Sequence, residues 1–448
     1  MSKYYTLLYL SLLSFLISCG RNSEEHRVVL CIPVYGQSLA LGEEAERITD
    51  FDSLANYADG RIVTENLDHH FGYFENDELK EFAKKLVGYQ KRAFELSVYN
   101  MAKVLADATG GDTLICIFPG GQGATAIANL SKGTAPYQKF IKDIQTAYEE
   151  ATERGLQFVI PAICWMQGES DIVDYPDTDY RQMLQQIRKD MNDDINRITH
   201  QEHSIPFVCY QANSLSRAEH FNANSFKCPE TDVPQVFVDL LHSDSLFWAS
   251  GPTYPYTCVN EKIHIDAIGQ QSIGALAAKS VLSILRGKEK FQGLIPLALS
   301  TNGNSITIRF HVPTPPLVLD TILVRKADHY GFSVINQQNQ DIAETIVVDS
   351  NTVTINCTES PAECRIRYAV GGDYMKSGNQ HGPRGNLRDS QGDVLYTNIK
   401  GRKYPLHNWC YQFDITASHS TATYQYTWFR HRSSKRVAQA GLRDGHYM

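Results

Sequence analysis

Val28-Val29-Leu30-Cys31-Ile32-Pro33-Val34-Tyr35-Gly36-Gln37-Ser38-Leu39-Ala40-Leu41-Gly42 is an apolar, β-branched run that stops at a small-residue turn carrying a serine. The run reads as a buried parallel strand. In open α/β sheets, the position just past the carboxyl end of a strand is where ligands and reacting groups are held. Gly36 lets the backbone approach a substrate closely, and Gly42 keeps the far side of the turn free of side chains. An ordinary strand-to-helix turn with Ser38 as N-cap would look the same in isolation. The rest of the chain decides between them.

Strand and helix patterns alternate from residue 28 to about 290. Helical stripes fall at about Ser97–Ala108, Tyr137–Glu153, Asp179–Ile198 and Gln270–Arg286, whereas residues 71–92 show no clean period. Between the stripes lie strand-like runs at Thr113–Phe118, Phe158–Trp165 and Pro206–Tyr210. That alternation predicts an α/β domain with a parallel sheet covered by helices on both faces, a three-layer arrangement. From about Phe291 short strand-like runs follow one another, at 306–310, 322–325, 345–348 and 365–369, with turn residues between them. They predict a smaller all-β domain, a sandwich, over residues 291–416. Residues 417–448 are polar and basic, have little to bury, and are expected to be poorly ordered.

Lys3 precedes an apolar run from Leu7 to Ile17, the length of a signal-peptide core, which ends in Leu16-Ile17-Ser18-Cys19. The ending resembles a bacterial lipobox. The resemblance implies a signal peptide over residues 1–19, lipidation at Cys19, a tether over residues 20–27 and an extracytoplasmic, membrane-anchored protein. A plain secretory signal with a chance cysteine is the alternative. The net charge of −8 offers no basic footprint, which argues against nucleic acid as a partner. Of the ten cysteines, Cys31, Cys116, Cys164 and Cys209 sit in strand-like runs as small hydrophobes. Cys357 with Cys364 is a candidate disulfide, and Cys228 with Cys258 a weaker one. No Cys/His spacing suggests a metal, and His69 and His70 have no evident third ligand.

Four strand ends deliver polar loops to one rim: Gly36-Gln37-Ser38, Gly121-Gln122-Gly123, Trp165-Met166-Gln167-Gly168-Glu169-Ser170-Asp171 and Glu261-Lys262-Ile263-His264. Serine hydrolysis needs a nucleophile, a base, an acid that orients the base, and oxyanion donors. Ser38, His264 and Glu261 are the candidates for the first three, with Asp266 as a second candidate for the acid. The Ser38 N–H, a loop glycine N–H and the Gln167 amide are the candidate oxyanion donors. Gln37, Glu169 and Asp171 are assigned to supporting the loops, although the two acids equally suit a helix N-terminus.

Taken together these stretches resemble the SGNH hydrolases, and within them carbohydrate esterases of the sialate O-acetylesterase type. The shared motifs are Gly36-Gln37-Ser38, Gly123-Ala124-Thr125, Trp165-x-Gln167-Gly168-Glu169-Ser170 and an acid-x-x-His264 turn with Gly269. The resemblance spans about 240 residues and implies a flavodoxin-like fold with no cofactor. It also implies a serine esterase that removes O-acetyl groups from a carbohydrate through an acetyl-enzyme. Two departures stand out: Glu261 replaces the family's Asp, and the glycine loop is offset, leaving Gly121 as an alternative to Gly123. Trp165, Arg384, Arg388 and Trp409 are candidate substrate-binding residues, the last three standing equally well as loop-holding residues. A glycan-binding lipoprotein without catalysis and an esterase for another small ester are the rival readings. The sugar and the oligomeric state have no signature in the sequence.

Overall fold

The computed structural model describes residues 28–64, 94–173, 178–212, 233–261, 263–373 and 376–416. Cys19, His69, His70, Cys228 and the tail from 417 onward lie outside the described residues. So do the side chains of Val173 and Glu261.

The first strand, β1 (Val28–Gly36), is buried along nearly its whole length, as expected of a parallel strand covered on both faces. Helix α1 (Phe51–Ala55) and strand β2 (Ile62–Val63) follow, then α2 (Ser97–Ala108) and β3 (Thr113–Gly121). Next come α3 (Ala135–Glu153), β4 (Gln157–Val159), β5 (Ile163–Met166), α4 (Glu169–Val173) and α5 (Tyr180–Thr199). The unit ends with β6 (Phe207–Gln211), α6 (Val233–Ser243), β7 (Phe247–Pro252) and α7 (Ala267–Leu285). All sheet pairings are parallel, in the order β2-β3-β1-β5-β6-β7, with β4 also pairing β1. The chain starts in the middle of the sheet, builds outward on one side, then crosses to the other. The carboxyl end of β1 is therefore the switch point at which a crevice opens.

The expected single strand at 158–165 is divided in two. Pro161 has no N–H for the ladder, so pairing stops between β4 and β5 and resumes on the same neighbour, β1. Helix α6 and strand β7 were not anticipated from the sequence.

The C-terminal part is antiparallel. A four-stranded sheet has the order β12 (Ala343–Asp349), β13 (Thr352–Cys357), β9 (Ser305–His311), β8 (Ile295–Asn302). A three-stranded sheet joins β11 (Phe332–Ile335), β14 (Arg365–Tyr368) and β18 (Phe413–Thr416). Their inner faces meet in one core, with Ile306, Ile308 and Phe310 on one side and Phe332, Val334, Tyr368 and Phe413 on the other. Two further pairs, β10 (Val318–Leu319) with β15 (Leu387–Arg388) and β16 (Tyr396–Ile399) with β17 (Arg402–Pro405), complete it. Residues 322–325, expected as a strand, form a turn instead. The Asp320 carboxylate accepts the backbone N–H of both Ile322 and Leu323, which bends the chain before it can pair. Cys357 and Cys364, the candidate bridge, are buried free thiols, as is Cys258. Among the described residues no helix is long and apolar enough to cross a membrane.

Candidate active site

Three strands converge at the switch point so closely that glycine is required. A Cβ on Gly36 would lie 1.9 Å from the Met166 carbonyl oxygen, and one on Gly121 would lie 1.8 Å from the Gly36 carbonyl oxygen. The ladder is then extended past the strand ends. The Gln37 N–H donates to the Met166 carbonyl and the Gln122 N–H to the Gly36 carbonyl, at 3.0 and 3.1 Å. Ser38 follows at once, in a tight turn whose carbonyl accepts the N–H of both Leu41 and Glu43.

His264 arrives from the other direction, on the loop between β7 and α7. That loop is pinned by the Val259 N–H donating to the His264 carbonyl at 2.7 Å and the Asp266 N–H donating to the Thr257 carbonyl at 2.8 Å. Nε2 of His264 lies 2.9 Å from the Ser38 Oγ, and Nδ1 lies 2.9 Å from a carboxylate oxygen of Glu44. The Ser38 residue is 2% exposed and the His264 side chain 12%, so bulk water is largely kept from the pair.

The acid at Nδ1 is a correction. Glu261 was expected there; Glu44 occupies the position, and the Glu261 side chain lies outside the described residues. Asp266 is engaged elsewhere: its carboxylate accepts the Gly269 N–H as the N-cap of α7. Glu44 returns to the serine through a left-handed backbone, with φ of +67° at Gly42 and +63° at Glu44 itself. A non-glycine residue in that region stores about 1 kcal/mol or more, a cost that persists where the surroundings impose it.

Gln167 is a second correction. It is fully buried, and its amide nitrogen donates to the Thr125 carbonyl and to the Asp171 carboxylate. Both of its N–H groups are thereby taken, so it has none left for an oxyanion. Its role is to fix the loop, helped by the Tyr180 hydroxyl donating to its side-chain oxygen at 2.8 Å. The backbone N–H groups of Ser38 and Gly123 enter no backbone hydrogen bond among the described residues. Each stands two residues beyond the Gly36–Gly121 pairing, on adjacent strands. Gly121 itself pairs with Gly36 in the β1–β3 ladder, and Gly123 lies in the loop beyond it.

The remaining predicted residues sort by what they touch. Gln37 accepts the N–H of Gly168 and Ser170 at the start of α4. The Asp171 carboxylate accepts the Ile127 N–H at 2.9 Å, joining the loops after β3 and β5. Glu169 is buried against the Tyr210 hydroxyl, and burial pushes its carboxyl up to about 7. Trp165, a candidate for substrate contact, is wholly buried and stacks on Phe207, so it belongs to the core. Arg384 donates to the carbonyls of Arg325, Lys326 and Gly382, and Arg388 pairs with Asp320 at 2.7 Å. Trp409 is 6% exposed against Tyr254 and His407. The contacts of all three are those of loop-holding residues. Among the described residues no group of three His, Cys, Asp or Glu side chains is placed to hold a metal.

A buried serine, a histidine in contact with it and a carboxylate behind the histidine form the arrangement of an acyl-transfer site. Residues 90–283 match the model of the family described as carbohydrate esterase, sialic acid-specific acetylesterase. The α/β unit carries a carbohydrate esterase domain. The protein is accordingly a carboxylic ester hydrolase. The matched residues contain His264 and the Trp165–Asp171 loop but begin after Ser38 and Glu44, which the fold brings to them. No curated protein matches the chain. Among solved structures, a carbohydrate acetylesterase from Xanthomonas citri is similar with a TM-score of 0.54 and 15% identity. That match covers 86% of this chain and 80% of the other, and shows that the fold extends through the β part. NanS aligns with a TM-score of 0.44 and 14% identity over 59% of this chain and 99% of its own. A protein from Arabidopsis thaliana aligns with a TM-score of 0.41 and 18% identity, over 56% and 98% respectively.

Proposed function

We propose that the protein removes O-acetyl groups from an acetylated glycan, with sialic acid as a leading candidate, through an acetyl-enzyme on Ser38. The observation that carries this reading is the continuous line of contacts from Ser38 Oγ to His264 to Glu44. His264 takes the serine proton as Oγ attacks the acetyl carbonyl, and Glu44 holds the imidazole with Nε2 facing the serine and stabilises its charged form. The backbone N–H groups of Ser38 and Gly123 receive the oxyanion. His264 returns the proton to the departing sugar hydroxyl, then activates the water that releases acetate. No cofactor enters this scheme.

The lipobox-like ending at Cys19 supports an anchored, extracytoplasmic enzyme working at a surface where glycans are met. Radiolabelled palmitate incorporated by the wild type and absent from Cys19→Ala is the expected result, and equal incorporation by the two rules the anchor out.

The direct test is release of p-nitrophenol from p-nitrophenyl acetate by wild type and Ser38→Ala, followed by acetate release from O-acetylated sialic acids and xylan fragments. Wild-type turnover with an initial burst is expected, and a loss of about 10⁴-fold or more in the variant. Two equally inactive proteins that also leave acetylated sugars untouched would turn the reading toward a glycan binder.

A further inference from the structure

The carboxylate of Glu95 is wholly buried, and nothing in the reaction scheme uses it. It lies beside the segment that carries Glu44. One of its oxygens accepts the backbone N–H of Ile48 and Thr49, both at 2.8 Å. The other accepts the Thr49 hydroxyl and the side-chain amide of Gln271. The backbone of the same residue adds to the grip: its N–H donates to the Ala45 carbonyl at 2.9 Å, one residue from Glu44. Its carbonyl oxygen sits where a Cβ on Gly42 would fall, 1.9 Å away. The whole stretch from Gly42 to Thr49 is therefore moulded on one residue.

Gln271 is the fifth residue of α7, the helix that begins three residues after His264. Its side-chain amide also donates to the Thr49 hydroxyl at 2.8 Å, and its backbone carbonyl accepts the Asn100 side chain at 2.9 Å. The adjacent Gln270 donates to the Leu39 carbonyl at 3.0 Å, next to Ser38. Close approach makes this reach possible, since a Cβ on Gly274 would stand 2.0 Å from the Ser97 carbonyl oxygen. Two neighbouring glutamines thus tie the histidine's helix to the serine turn and to the acid's segment.

We propose that Glu95 is a positioning residue for the reaction, holding Glu44 in register with His264 by joining the 45–49 segment to α7 through Thr49 and Gln271. The inference rests on the serine-esterase reading. Glu44 sits on a strained left-handed backbone with a partly exposed side chain, so its own turn does not hold it firmly. A buried carboxylate accepting four hydrogen bonds from two elements supplies the missing rigidity.

The test is a double-mutant cycle on p-nitrophenyl acetate with the full chain, comparing Glu95→Gln, Glu44→Gln and both together. Glu95→Gln is expected to lower kcat by about 10- to 100-fold with KM little changed, the effect of a misplaced catalytic group. In the Glu44→Gln background it is expected to cost almost nothing more, because the group it positions has already been disabled. An unchanged kcat, or the same fold-loss in both backgrounds, overturns the proposal. If Glu95→Gln does not fold, Gln271→Ala takes its place in the cycle, with a several-fold loss expected and the same criterion of non-additivity. The Ser38→Ala control separates the two claims. Turnover that survives Ser38→Ala defeats the esterase reading, whereas Ser38-dependent turnover with additive losses defeats only the role of Glu95.

Discussion

At the scale of single residues, the site turns on which carboxylate faces His264. The rule of an acid three residues before the histidine pointed to Glu261, and the fold places Glu44 at Nδ1, 2.9 Å away. Glu44→Gln is expected to lower kcat on p-nitrophenyl acetate by about 10²- to 10⁴-fold, since an amide there holds the imidazole in the wrong tautomer. Glu261→Gln is expected to keep most of the activity, and the reverse ranking would return the acid role to Glu261. Glu169 makes a separate prediction. Its carboxyl is raised by burial from 4.5 to about 7, so the unfolded state gives up this proton more readily than the folded one. The stability linked to it is therefore complete below about pH 4.5 and is lost as pH rises towards 7, by an amount on the order of 3 kcal/mol. Glu169→Gln retains an acceptor for the Tyr210 hydroxyl. Its melting temperature is expected to fall less than that of the wild type between pH 5 and pH 8, and parallel curves would contradict the assignment.

At the scale of elements, the site depends on strand ends that touch. Gly36→Ala drives a Cβ into the Met166 carbonyl, so β1 and β5 must separate at the point where Ser38 is presented. A loss of about 3 kcal/mol or more in stability is expected, together with loss of activity. Gly111→Ala, where a new Cβ meets nothing within 4 Å, is expected to change stability by less than about 1 kcal/mol. Chemical denaturation of the two variants checks the contrast, and equal stabilities would mean that the strands do not need the close approach. Much at this scale was legible beforehand. Continuous apolar runs such as Val28–Tyr35 and helical stripes such as Ser97–Ala108 follow from local burial on one or both faces. The break at Pro161 and the turn at 322–325 were missed for local reasons too, a missing N–H and an aspartate that captures two backbone donors.

At the scale of the whole molecule, the β part does not stand apart. Val238, Leu241, Ala249 and Tyr254 of the α/β unit lie in the same core as the two antiparallel sheets. The Gln211 side chain accepts the Gln412 N–H at 2.7 Å and donates to the Gln412 carbonyl at 2.9 Å. Ser377 bonds both the N–H and the carbonyl of Cys258, at the base of the loop that bears His264. A chain ending at residue 290 would expose those apolar side chains and leave buried polar groups unpaired. It is expected to be insoluble, or to bind a hydrophobic dye and lose cooperative melting. A soluble, cooperatively melting and active fragment would show that the α/β unit folds alone.

The sequence by itself determined the parallel α/β unit, the change to short antiparallel strands near residue 291, the serine at the end of the first strand and the histidine before the last helix. Each of these is written in local pattern: period, turn chemistry and motif spacing act over a few residues. Only the tertiary structure decided that Glu44 meets His264, that Gln167 is locked into its own loop, and that Trp165 and Trp409 are buried. Those outcomes depend on where a left-handed turn returns the chain and on which donors a buried amide finds. They are set by distances between elements far apart in sequence, which no spacing along the chain records.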